Sequence, residues 1–135
     1  MNQVIIPKAF YNVKYKTERF PGVENQSDLT FGANCQLFAY ALLKENGLQV
    51  PNDRSSELWS DTRYSKVVTD FEPLDLMLYS PNGDAYGAHV GVYIGDGRVI
   101  HLSYANGKPE ILPHIELLNN EKYRCFVGAK RILEA

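Results

Sequence analysis

Ala88-His-Val-Gly-Val-Tyr-Ile94-Gly95-Asp96-Gly97-Arg98-Val-Ile-His-Leu-Ser-Tyr104 decides how this chain folds. Two runs rich in β-branched and aromatic residues flank a glycine-rich turn, the pattern of a β-hairpin. Side chains directly opposite each other in an antiparallel pair share a face, so loop length decides whether His89 and His101 can meet. A two-residue loop, Asp96-Gly97, would set His89 against Tyr104 and His101 against Val92, on opposite faces of the sheet. A three-residue loop, Gly95-Asp96-Gly97, sets His101 against Gly91 and His89 against Ser103. Both rings then leave one face as diagonal neighbours, roughly 7 Å apart at the backbone. The three-residue loop wants glycine in its left-handed position, and Gly97 stands there, so this loop is expected. Gly91, opposite His101, leaves room for the ring. Val90, Val92, Ile94 and Val99 are the expected apolar set of the other face.

Working outward, Leu74–Tyr79 alternates as a strand and is closed by the turn Ser80-Pro-Asn-Gly-Asp84. Downstream, Asn106-Gly107 turns before a strand at Glu110–Leu112, and Arg124–Ile132 is the last strand. Upstream lies Phe31-Gly-Ala-Asn-Cys-Gln-Leu-Phe-Ala-Tyr-Ala-Leu-Leu-Lys-Glu-Asn-Gly47, apolar on every side between Leu37 and Leu43. A helix hydrophobic all round is a buried one. Asn34 is its expected N-cap and Gly47 its left-handed stop. Leu48–Pro51 leaves it, and Asp53 is the expected cap of a short helix through Glu57, Leu58 and Trp59. Residues 1–30 read as an irregular, aromatic-rich lead-in. One buried helix followed by four or five antiparallel strands makes an α+β domain.

With 135 residues, 44% apolar and 22% charged, the chain suits a single globular domain, 1–135. A net charge of −2 and no clustered basic patch give no nucleic-acid footprint. No run is long and apolar enough to span a membrane. The N-terminal residues lack the pattern of a secretory signal, so synthesis in the cytoplasm is expected, with the final location left open. Two cysteines do not make a disulfide framework.

Cys35 falls in the first turn of the buried helix, where free N–H groups and the helix dipole favour a thiolate. A nucleophilic thiol needs a base and a third group to orient that base. Cys35, His89 and His101 can fill the roles of nucleophile, base and orienter, with His89 forming an ion pair with the thiolate. The Cys35 backbone N–H is a candidate oxyanion donor, with the Gln36 side chain as a weaker contributor. His114 competes for the third role, but nothing in its position brings it near Cys35. Zinc held by Cys35, His89, His101 and His114 is the rival chemistry, although no spacing among them matches a short chelating pair. No cofactor is expected.

With these residues in view, the chain resembles the NlpC-type cysteine peptidases over roughly residues 31–132. The similar pieces are Asn34-Cys35-Gln36-Leu37, Gly47-Leu-Gln-Val-Pro51, Pro73-Leu-Asp-Leu76, His89-Val-Gly-Val-Tyr-Ile-Gly95 with Arg98-Val-Ile-His101, and Gly128-Ala-Lys-Arg131. The resemblance implies a papain-like fold, with the Cys-bearing helix on a four- to six-stranded antiparallel sheet. It also implies nucleophile Cys35, base His89 and orienting His101. The activity it implies is cleavage of an amide bond through an acyl-enzyme, in the stem peptides of bacterial cell wall or another peptide or amide substrate. Asn34 and Gln36 replace the family's Asp and Ser, and Leu74 replaces a glycine. These departures keep two alternatives in play: a spent-site binding module, or a transferase or deamidase built on the same three residues. In the family such a lead-in often supplies a tyrosine to the site; Tyr11 and Tyr15 are the candidates here, and the sequence leaves open which of them, if either, does so.

Overall fold

The structure is a computed structural model that describes residues 3–134; Met1, Asn2 and Ala135 of the expected 1–135 domain lie outside the described residues. Helix α1 runs Cys35–Glu45, with Asn34 as its cap: Asn34 Oδ1 accepts from the Leu37 N–H at 2.8 Å. Gly47, at φ 88°, ends it as expected. Helix α2 covers Ser55–Ser60. Its N-cap is Arg54 rather than Asp53, and the Arg54 N–H donates to the Glu57 carboxylate at 2.8 Å.

Six strands follow: β1 Ser65–Val68, β2 Leu76–Ser80, β3 His89–Gly95, β4 Arg98–Leu102, β5 Pro109–Pro113 and β6 Cys125–Ile132, with helix α3, His114–Leu117, before the last. They form one antiparallel sheet in the order β1-β6-β2-β3-β4-β5. The expected architecture, one buried helix on a four- to six-stranded sheet, is the one observed. Strand β1 was not expected, because its four residues are too few to show a period of two; pairing with β6 makes it an edge strand.

The β3–β4 hairpin corrects the expected loop and keeps its consequence. Gly95 pairs with Arg98, so the loop is the two residues Asp96 and Gly97, at φ 53° and 75°. Positive φ at both positions is the mirror-image turn that suits the twist of a hairpin. By itself that turn would put the histidines on opposite faces. A bulge between Tyr93 and Gly95 shifts the register by one residue, after which Tyr93 opposes Val99 and Val92 opposes Ile100. Carried on, this register sets His101 against Gly91 and His89 against Ser103. It also corrects the face given to Val99, which lies with Tyr93 on the histidine side. A Cβ at Gly91 would stand 2.6 Å from Val99 Cγ1 and 3.4 Å from His101 Cβ, so this position is glycine because the cross-strand residues fill its space.

The two faces carry separate cores. On one, α1 lays Leu37, Phe38 and Leu42 against Val90, Val92, Ile100 and Leu102. On the other, Met77, Tyr79, Val99, Leu117 and Tyr123 pack with Phe71 and Phe126. Each large apolar side chain fully buried contributes about 1.5–3 kcal/mol, so both layers hold the sheet. An ion pair ties β6 to the entry of β2: Arg131 Nε and an Nη donate to the two oxygens of Asp75, each at 2.9 Å, and Asp75 is 1% exposed. The Pro73–Leu76 and Gly128–Arg131 pieces of the sequence thus meet in one contact.

Candidate active site

Cys35 is placed by the turn that precedes α1. Arg19, buried, reaches into this turn and the loop before it: its guanidinium donates to the carbonyls of Gly32 at 3.2 Å, Glu24 at 2.6 Å, and Asn25 and Asp28 at 2.8 and 3.0 Å. Four carbonyls on one fork fix a stretch whose regular structure is a single 3-10 turn, Leu29–Phe31. The lead-in then docks beside it, with Tyr15 bridged to Ala33 and the Tyr15 N–H donating to Gly107 O at 3.0 Å. Tyr15, rather than Tyr11, is the lead-in tyrosine beside this turn, and burial, then the Cys35 sulfur, raise its phenol.

His89 and His101 stand in direct contact, His89 Nε2 to His101 Nδ1 at 2.8 Å, with the rings nearly perpendicular. Tyr123, from the segment before β6, stacks on His89 with ring centroids 4.3 Å apart. Cys35 arrives from the other layer. Backbone N–H groups of Val90, Gln36 and Cys35 itself face its sulfur, and Val90 directly follows His89. The Cys35 sulfur thus lies at the Val90 N–H, one residue past His89, at the end of the sheet where β3 begins.

Burial sets the charges. It pushes the Cys35 thiol up, and the surrounding N–H groups and the Arg54 guanidinium pull it only part of the way back. Burial, and then the His101 ring, hold His89 well below the usual histidine value. Both shifts act against the expected resting thiolate–imidazolium pair, because burial penalises the charged form of each group. Such a site makes its thiolate by passing the proton to His89 when substrate is attacked.

Gln36 is corrected as an oxyanion contributor. Its side chain turns inward, where Nε2 donates to Tyr40 Oη at 2.6 Å and to Asp53 O at 2.7 Å. His114 is likewise committed elsewhere, its Nδ1 2.7 Å from Tyr79 Oη among Phe71 and Phe126. The four donors of the zinc alternative do not gather, and among the described residues no three His, Cys, Asp or Glu side chains converge as a metal site. Sequence reasoning missed Glu110, whose Oε1 lies 3.2 Å from His101 Nε2, and it missed Tyr123. Glu110 was within reach: pairing the Glu110–Leu112 run with the hairpin brings it opposite His101.

A cysteine at the head of a buried helix, packed on an antiparallel sheet that supplies two linked histidines, is the arrangement of a papain-like domain. The NlpC/P60 family model matches residues 18–125, and the chain belongs to that family. It is 32% identical over 108 residues to a gamma-D-glutamyl-L-lysine dipeptidyl-peptidase of Bacillus cereus, covering 76% of this chain and 30% of that protein. The protein of the same name from Bacillus subtilis is 28% identical over 101 residues, 71% of this chain and 33% of its own. The chain thus spans about a third of the length of these curated relatives. Among solved structures, an NlpC/P60 family protein from Bacillus cereus matches at TM-score 0.56 and 28% identity, over 77% of this chain and 33% of that one. The P60 domain of an antigen from M. avium subspecies paratuberculosis shares the fold at TM-score 0.55 and 20% identity, over 91% of this chain and 86% of its own.

Proposed function

We propose that this domain is a cysteine peptidase or amidase that cleaves an amide bond in cell-wall stem peptides. The observation that carries the reading is the meeting of the Cys35 sulfur, at the head of α1, with the strand start that presents the linked His89–His101 pair. His89 Nε2 is engaged by His101, so Nδ1 is the nitrogen left to take the thiol proton. The sulfur then adds to the substrate carbonyl carbon, and the Cys35 N–H is a donor for the oxyanion at the head of α1. His89 returns the proton to the departing amine, leaving an acyl-enzyme. Water, deprotonated by the same ring, releases the acid and restores the thiol. The names of the curated relatives support a γ-D-glutamyl–diamino acid bond as the target.

The test is digestion of purified peptidoglycan and of soluble muropeptides by the wild type and by Cys35→Ala, with products identified by mass spectrometry. Release that vanishes in Cys35→Ala supports the peptidase. Binding of wall peptides by both proteins with release by neither would make the domain a binding module instead.

A further inference from the structure

We propose that Glu110 is the positioning residue of this site: it fixes the tautomer of the His89–His101 pair and stabilises the positive charge the pair takes up. The inference rests on the thiol chemistry just proposed. His101 is 2% exposed, and its Nε2 has no aligned hydrogen-bond partner. Facing it is the Glu110 carboxylate, with Oε1 at 3.2 Å, a hydrogen-bonding distance off the line of the N–H. Unliganded sites often hold such contacts loosely and tighten them on binding substrate. Backbone register, rather than a chance rotamer, brings the two together, because His101 and Glu110 are directly paired across β4 and β5.

Counting protons shows what the carboxylate does. A neutral imidazole has one N–H and one lone pair, and the 2.8 Å contact between the rings holds one hydrogen. With the His101 proton on Nε2, its Nδ1 accepts from His89 Nε2–H, and His89 Nδ1 keeps the lone pair that the thiol proton needs. In the opposite arrangement His89 Nδ1 carries the hydrogen and cannot act as a base. A carboxylate accepts and never donates, so Glu110 beside His101 Nε2 selects the competent arrangement.

The charge works in the same direction. Once the thiol proton has moved, the ring pair carries one positive charge. The groups facing His101 are His89 from β3, Glu110 from β5 and the Tyr123 phenol from the segment before β6. Beyond them lie the Cys35 sulfur and the Tyr15 phenol, both close to Tyr123, and Glu116 of α3 across a shared pocket. Of the two carboxylates, only Glu110 is in ion-pair contact with His101 among the described residues. Burial pushes His101 down and Glu110 pulls it back. A partly solvated charge at this distance is expected to favour the reactive form by roughly tenfold. Glu110 also borders that pocket, about 530 Å³ and lined by Ser103, Asn106 and Asn119 among others, which is room for a small carboxylate.

The test uses the full chain as wild type, Glu110→Gln, Glu110→Ala and, as a control from the same pocket, Glu116→Gln. Alkylation of Cys35 by iodoacetamide is followed by mass spectrometry across the neutral pH range, beside kcat/KM on muropeptides and the thermal midpoint. Glu110→Gln is expected to slow Cys35 alkylation at neutral pH by about tenfold and to shift the profile to higher pH. Glu116→Gln is expected to match the wild type. Added formate is expected to restore part of the rate of Glu110→Ala and to leave Glu110→Gln unchanged. A Glu110→Gln profile that superimposes on the wild type overturns the proposal. So does a Glu110→Ala loss that tracks thermal stability and ignores formate. Alkylation needs no substrate, so a wrong choice of peptide would leave this result standing, and hydrolysis that survives Cys35→Ala would instead sink the thiol reading itself.

Discussion

Gln36 sits next to the nucleophile and serves the fold rather than the reaction. Its amide nitrogen closes a buried knot with Tyr40 and the carbonyl of Asp53, which fastens α1 to the start of α2. Gln36→Ala is expected to cost about 1–2 kcal/mol of stability, since buried hydrogen bonds are lost, and to leave kcat on muropeptides near wild type. Denaturant unfolding and steady-state kinetics check the two halves. A large fall in kcat with unchanged stability would return Gln36 to the oxyanion hole. Cys35, His89 and His101 were legible in the sequence because each belongs to a local pattern, a helix start or a hairpin arm. Tyr15 and Tyr123 belong to irregular segments held by long-range contacts such as the Arg19 fork, and no periodicity announces them.

At the scale of elements, the hairpin was read to the correct pairing through the wrong loop. The expected extra residue is present, but it sits in the bulge between Tyr93 and Gly95 rather than in the turn. Turn preferences could not separate the two, because one added residue changes parity equally in either place. Gly91→Ala tests how tightly the pair is held. The added methyl meets Val99 Cγ1, the Ile100 carbonyl and His101 Cβ, so a loss of about 1–3 kcal/mol is expected from overpacking, with a fall in kcat as the rings are displaced. The β2–β6 tie is a second test. Arg131→Met strands the Asp75 carboxylate inside the protein, and an unpaired buried charge costs about 3 kcal/mol or more. With Arg131 partly exposed the low end applies, read by calorimetry as a fall in Tm of roughly ten degrees.

For the whole molecule, the strands β2 to β6 and their antiparallel class were legible in the alternation of the later half of the chain, whereas the sheet order that sets β6 beside β2 was not. Neither were edge strand β1 and helix α3, since four residues carry too little pattern. The layers also set the response to pH. Burial is the largest cause holding His89, His101 and His114 below their ordinary value of 6.5. The unfolded chain therefore binds protons below that value which the folded chain refuses. Stability is full above pH 6.5 and declines as pH falls through it. Tyr15, Tyr40, Tyr79 and Tyr123 are raised above 10.0, again by burial first, so the unfolded chain ionises there before the fold can. The Cys35 thiol, raised by burial from 9.0, adds to this from lower pH, so the expected thermal midpoint has a plateau from about neutral pH to just below 9 and falls on both sides, checked by circular dichroism melts. A midpoint that climbs on acidification would contradict the neutral histidine pair.

The thiol and its base reach the site from opposite sides of one sheet, and neither layer contains both. On the proposed chemistry, a chain with only the α1 side formed presents a protonated, unassisted sulfur, and one with only the other side formed presents a base with nothing to activate. Cleavage then starts only when both layers are folded, so copies still being made or coming apart stay inert toward the peptides around them.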